Sequence, residues 1–106
     1  MTTAAVGQRG RTRIADRVAT RIAVQSAAEL PAVLRVEAGG LPWSPTSDAK
    51  VAGDVIAIRL AVTVAYPAPL RELSAQIRDY VAHRVAQLTG LSVSRVDVTI
   101  NTEHPS

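Results

Sequence analysis

The C-terminal half of the chain alternates large side chains twice, at Ile56, Ile58, Leu60, Val62, Val64 and Tyr66 and again at Val96, Val98 and Ile100. Between the two runs, Leu70, Leu73, Ile77, Val81, Val85 and Leu88 recur in steps of three and four, up to a stop at Thr89-Gly90-Leu91. Alternation places side chains on one face of a strand, and the longer step places them on one stripe of a helix. A strand, a helix and a second strand can therefore bury a common apolar layer. Pro67 and Pro69 break the first strand and pre-set the backbone for the helix, and Gly90 supplies a left-handed cap at its end. The last strand is expected over residues 93–101. This strand-helix-strand unit constrains the fold more than any other feature, and it comes with no catalytic inventory.

Upstream, helical spacing starts at Asp16, an acid suited to a helix N-terminus, and places Val18, Ala19, Ile22, Ala23 and Ala27 on one face. Small alanines there permit close packing on a sheet. Pro31 ends this helix, because the residue before a proline is pushed out of the α region, and residues 33–37 form a short strand. Residues 38–53, with Gly39-Gly40, Pro42, Pro45, two serines and a threonine, have the composition of a loop. Residues 1–11 lack apolar periodicity and read as a flexible tail, as do residues 102–106. The expectation is one α+β domain over residues 12–101, in the order helix-strand-strand-helix-strand. Two helices cover one face of a three-stranded sheet, four-stranded if residues 12–14 add a short strand. In the strand over residues 55–66, the large aliphatics are the candidate core. Ala57, Ala61 and Ala65 share the other face with Arg59 and Thr63, and suit either close helix packing or cover by a partner. Alternation does not say which face the helices take.

A chain of 106 residues has room for a single core, burying roughly two-thirds of its unfolded surface without help from metal or disulfide. The absence of cysteine removes disulfides, thiolate zinc sites and thiol nucleophiles, and fits a reducing, cytoplasmic setting. The apolar stretches are short and interrupted, as by Arg59, and no charged-then-apolar leader is expected. The formal charge of +3 is an N-terminal property: six arginines face Asp16 and Glu29 in the first 35 residues, and the remainder is slightly acidic.

Candidate chemistry is sparse. A Ser-His-acid site has only His83 and His104 to draw on, and His83 follows Asp79 by four residues on a solvated helix face, the geometry of a surface pair. Asp97, Glu103 and His104 are strung along a strand and a tail instead of converging at metal-ligand spacing. Gly39-Gly40 precedes Leu41-Pro42-Trp43 and lacks the Gly-Lys-Ser/Thr signature of a phosphate loop. No catalytic, cofactor-binding or metal residue is assigned. Arg9, Arg13, Arg17 and Arg21 are spaced by four, and the last three form a ridge on the first helix that Gln25 and Glu29 continue. The bland account of the ridge is a solvated face; the functional one is a surface for anionic lipid headgroups or an acidic partner. Trp43 either folds back over a core edge or anchors an interface. Tyr66 and Tyr80 are packing residues with their hydroxyls at the surface. The candidate interaction surface is Arg13, Arg17, Arg21 and Trp43.

One set of residues is more specific. Ile14-Ala15, Val18, Ile22-Ala23 and Ala27-Ala28-Glu29-Leu30-Pro31-Ala32-Val33 are followed by Val62-Thr63-Val64-Ala65-Tyr66. Ile77, Val81, Val85, Thr89-Gly90-Leu91-Ser92-Val93 and Val96-Asp97-Val98-Thr99-Ile100 continue the pattern. Over roughly residues 10 to 101 it resembles the alkaline-shock, or envelope stress response, protein family of Gram-positive bacteria. Pro67 and Ala32 stand where that family usually has glycine, both in turns. The resemblance implies a non-enzymatic cytoplasmic protein, without cofactor, that gathers at the inner face of the membrane through a membrane-anchored partner and serves cell-envelope homeostasis. Sister domains of the family are further partners, and self-association is expected through an edge strand or the alanine-rich face. The alternative is a small RNA-binding module using the arginine ridge. Against it stand the absence of phenylalanine, the scarcity of other aromatics for stacking bases, and the lack of a Gly-x-x-Gly clamp.

Overall fold

A computed structural model of the chain describes residues 14–38 and 46–104, so the N-terminal tail, Arg9, Arg13 and Trp43 lie outside the described residues. The elements follow in the order α1 (Asp16–Ala28), β1 (Val33–Val36), β2 (Asp48–Ala52), β3 (Val55–Ala65), α2 (Leu70–Thr89) and β4 (Ser92–Glu103). The central strand is β3. Along one of its edges β1 and β2 lie end to end, both antiparallel to it, β2 against its first half and β1 against its last. Along the other edge β4 runs parallel to it over its whole length. The sheet is therefore four-stranded and mixed, and α2 is the crossover that parallel neighbours require.

Both helices take the large aliphatic face. Ile56, Ile58, Leu60, Val62 and Val64 are buried together with Ile77, Val81 and Val85 of α2 and Ala19, Ala23 and Ala27 of α1. Each fully buried Ile, Leu or Val contributes on the order of 1.5–3 kcal/mol relative to an exposed one. The alanine stripe of α1 meets the sheet closely, as its small side chains predict. Val18 is an exception to the expected face: it is 41% exposed, because the buried stripe runs through Ala19, Ala23, Ser26 and Ala27. On α2, Leu70 and Leu88 are also exposed, because they fall in its first and last turns. Gly90 closes α2 at φ 74°, its N–H on the Ala86 carbonyl, while the Thr89 hydroxyl donates to the Val85 carbonyl and accepts from the Leu91 N–H. That is the physical content of the Thr-Gly-Leu stop.

Two expectations are corrected, and a third falls largely outside the described residues. Residues 48–52, assigned to a loop, form β2: it hairpins onto β3 through Gly53-Asp54, with Gly53 at φ 62°, and buries Ala49 against the core. The fourth strand is thus β2. The expected strand at residues 12–14 falls largely outside the described residues, and Ile14 is not in a strand. The chain beyond residue 101 does not fray through Glu103: that residue pairs with Ala65, its carbonyl accepts the Tyr66 N–H, and the His104 ring packs 4.3 Å from the Tyr66 ring.

Candidate interaction surfaces

The face of the sheet away from the helices carries the odd-numbered residues of β3, and their neighbours in register form rows across the strands. One row is Lys50, Ala57 and Arg95; the next is Asp48, Arg59 and Asp97. Together they line a shallow depression of about 360 Å³. Arg59 donates to Asp48 at 2.9 Å and has Asp97 on its other side, and Arg95 pairs with Asp97 along its own strand. The hydrogen bond to Asp48, with the added field of Asp97, holds the Arg59 guanidinium even more firmly charged than usual. At the far end of the face Arg35 bridges Glu103 at 2.9 Å and Glu37 at 3.2 Å, and Glu37 also accepts the Thr63 hydroxyl at 3.1 Å. Hydrogen bonding to Glu103 is the main reason the Arg35 pKa rises.

Where β1 gives way to β2, the ladder is completed by a side chain. Ser47, 4% exposed, accepts the Ala61 N–H at 3.0 Å, and its own N–H reaches the Glu37 carbonyl. Ala61 and Thr63 are buried on this otherwise open face, and among the described residues no helix presses on it.

The two outer edges of the sheet differ. At β2 the edge is closed by α1: the Asp16 carboxylate accepts the Val51 N–H and the Thr20 hydroxyl accepts the Ala49 N–H, each at 2.9 Å. Asp16 is also 3.9 Å from Lys50. The outer edge of β4 pairs with no strand among the described residues.

On the helix side, Arg17 and Arg21 are both exposed, and neither enters an ion pair among the described residues. Glu29, expected to continue their ridge, turns instead to α2, where the Tyr80 hydroxyl and Arg84 both donate to it. These two bonds, Tyr80 first, lower the Glu29 pKa, and the same contact raises that of Tyr80. Asp79 and His83 are exposed and form no pair with each other. Among the described residues no group of three or more histidines or carboxylates is placed to hold a metal ion, and no helix is long and apolar enough to cross a membrane. The mosaic on the sheet was not foreseen from sequence. Its signal was the charged odd positions of β3 and β4, which only acquire neighbours once the register is known.

Comparison with solved structures gives the MamM CTD. A multiply substituted variant superposes with a TM-score of 0.58 at 17% identity, over 82% of this chain and 94% of that one. A copper form and a nickel form of other variants superpose equally well, each at 16% identity over 82% of this chain and 96% and 98% of theirs. At such identity the likeness is one of fold alone. No curated protein sequence matches. A family model matches residues 45–102, just over half of the chain, from the start of β2 almost to the end of β4, so the ββαβ unit carries the family pattern. The chain belongs to the alkaline shock protein 23 family, whose function is related to the cell envelope.

Proposed function

We propose that this domain is a non-enzymatic interaction module of the cell envelope, held at the inner face of the membrane by a membrane-anchored protein partner and associating with copies of itself or with sister domains. The observation that carries the reading is the family match, because it falls on the unit that holds both the open sheet face and the β4 edge that is unpaired among the described residues. The arrangement of charges supports a binding role over a chemical one. The cations and carboxylates of the open face neutralise one another in fixed pairs, and the pKa shifts found there belong to arginines that stay charged at any working pH. Arg17 and Arg21 form a complementary surface on the helix side, while Arg13 and Trp43, the other members of the candidate interaction surface, lie outside the described residues. Near an anionic membrane each such arginine contributes roughly 1 kcal/mol, enough to orient a docked domain but too little to anchor it alone.

The sheet face argues against the RNA alternative. Its exposed positions on β3 and β4 include Val55, Arg59, Ala65, Arg95, Asp97, Thr99, Asn101 and Glu103, without an aromatic on which a base could stack. The test is a pull-down of the tagged full chain from nuclease-treated host lysate with the membranes solubilised, bound proteins being identified by mass spectrometry. Recovery of one membrane-anchored protein, or of sister domains, in amounts comparable to the bait is expected. Empty recovery together with bound RNA in the untreated control overturns the reading.

A further inference from the structure

We infer that the outer edge of β4 pairs antiparallel with β4 of a second copy, about a two-fold axis at Thr99, so that two four-stranded sheets become one. The inference rests on the self-association proposed above and specifies its site and register. The edge itself comes first. A strand with an unsatisfied row of N–H and C=O groups is a template for another strand, and folds that avoid pairing cover or charge such rows. Here α1 spends Asp16 and Thr20 on the β2 edge, while β4, the longest strand of the sheet, has no strand on its outer side among the described residues. The Glu103 carbonyl points inward to the Tyr66 N–H, so by alternation the backbone groups of Val96, Val98, Ile100 and Thr102 point outward.

The sequence of β4 then selects a register. With Thr99 opposite Thr99, Arg95 of each copy faces Glu103 of the other, Asp97 faces Asn101, and Val98 faces Ile100 on the helix side. Arg95, Asp97, Thr99, Asn101 and Glu103 would occupy the non-hydrogen-bonded pairs, where opposed side chains lie closest, at a Cα separation of about 4.5 Å. The neighbouring registers are worse. Centring on Asp97 opposes two aspartates, centring on Ile100 sets Asp97 against Glu103, and centring on Val98 pairs no opposite charges. Centring on Val96 matches Arg95 with Asp97 but shortens the overlap and sets Val98 against Ser94. Val98 and Ile100, half-buried in the single chain, gain cover only if a second strand lies beside them.

Because the chain has no cysteine, single cysteines report the register without background. Under a glutathione redox buffer, Thr99→Cys is expected to form an intermolecular disulfide, since its two copies sit within the reach of that bond. Asn101→Cys alone is expected to stay unlinked, its copies being roughly 13 Å apart along the strands, while a mixture of Asp97→Cys and Asn101→Cys links as a heterodimer. Light scattering of the cysteine-free protein accompanies the assay. A concentration-dependent dimer in which Thr99→Cys does not link, or links no better than Asn101→Cys, overturns the register while leaving self-association standing. A monomer at every concentration overturns both, and leaves the edge to a different strand.

Discussion

The two faces of β3 are built from alternate residues of one eleven-residue strand, yet they do different work. On one, five large aliphatics are sealed under α1 and α2; on the other, two alanines, an arginine and a threonine lie among paired charges, with Val55 and Ala65 exposed at the two ends. Stability resides in the first face, where apolar area leaves water. The second face contributes little to folding by its ion pairs, since exposed pairs are screened and gain little over hydration. Its charges are therefore free to be used for recognition. The exception is the strip around Ser47, Ala61 and Thr63, where burial makes polar satisfaction compulsory.

The comparison can be broken at graded points, each checked by chemical or thermal unfolding. Ile58→Ala empties the sealed face and is expected to destabilise by about 2–5 kcal/mol, with a lower unfolding midpoint. Ser47→Ala removes the hydroxyl that accepts the Ala61 N–H, leaving that group buried and unpaired, at a cost of about 1–3 kcal/mol. Thr20→Val takes an acceptor from the β2 edge and is expected to cost about 1 kcal/mol, with faster hydrogen exchange at the Ala49 amide as the local signature. On the open face, Arg59→Ala is expected to leave the midpoint unchanged while removing the cation at the centre of the mosaic. A large loss from Arg59→Ala would show that the mosaic stabilises the fold as well as presenting a surface.

The contact between the helices gives a pH prediction. The Glu29 pKa is lowered in the folded protein, so its stabilisation is present above the ordinary carboxylate value of 4.5 and is lost as the pH falls through the folded value. The Tyr80 pKa is raised, so its share is present below 10.0 and is lost as the pH rises through its folded value. The difference in thermal midpoint between the native chain and Glu29→Gln should be greatest near neutrality and shrink at both extremes. A difference independent of pH would mean that the two bonds do not act in solution.

Much of the fold could be read because local signals agreed with one another. The alternation of β3, the stripe of Ile77, Val81 and Val85, and Gly90 all specify the same unit, and the family pattern lies on that unit too. The strand β2 escaped because Asp48-Ala49-Lys50-Val51-Ala52 has only one large apolar residue, Val51, and adjoins a segment rich in glycine and proline. The Gly53-Asp54 pair between two alternating runs was the available hairpin signal. The end of β4 escaped because Thr102 and Glu103 are polar; they are held by β3, Tyr66 and Arg35, partners remote in sequence. Of the candidate interaction surface, Arg17 and Arg21 lie on the exposed face of α1 as spacing required, whereas the charge mosaic could not be seen before its strands were aligned.

By itself the sequence determined which residues are apolar and at what period. That sufficed for two helices, a sheet with one aliphatic face, and the places where the chain must turn. The tertiary structure alone decided that the helices take the large face, that Asp16 and Thr20 close one edge, and that the outer edge of β4 pairs with no strand among the described residues. The physical reason is the range of the forces involved. Periodicity and turn chemistry act within a few residues of chain, whereas burial and hydrogen-bond satisfaction are settled between residues such as Asp16 and Val51, which are neighbours only in the folded molecule.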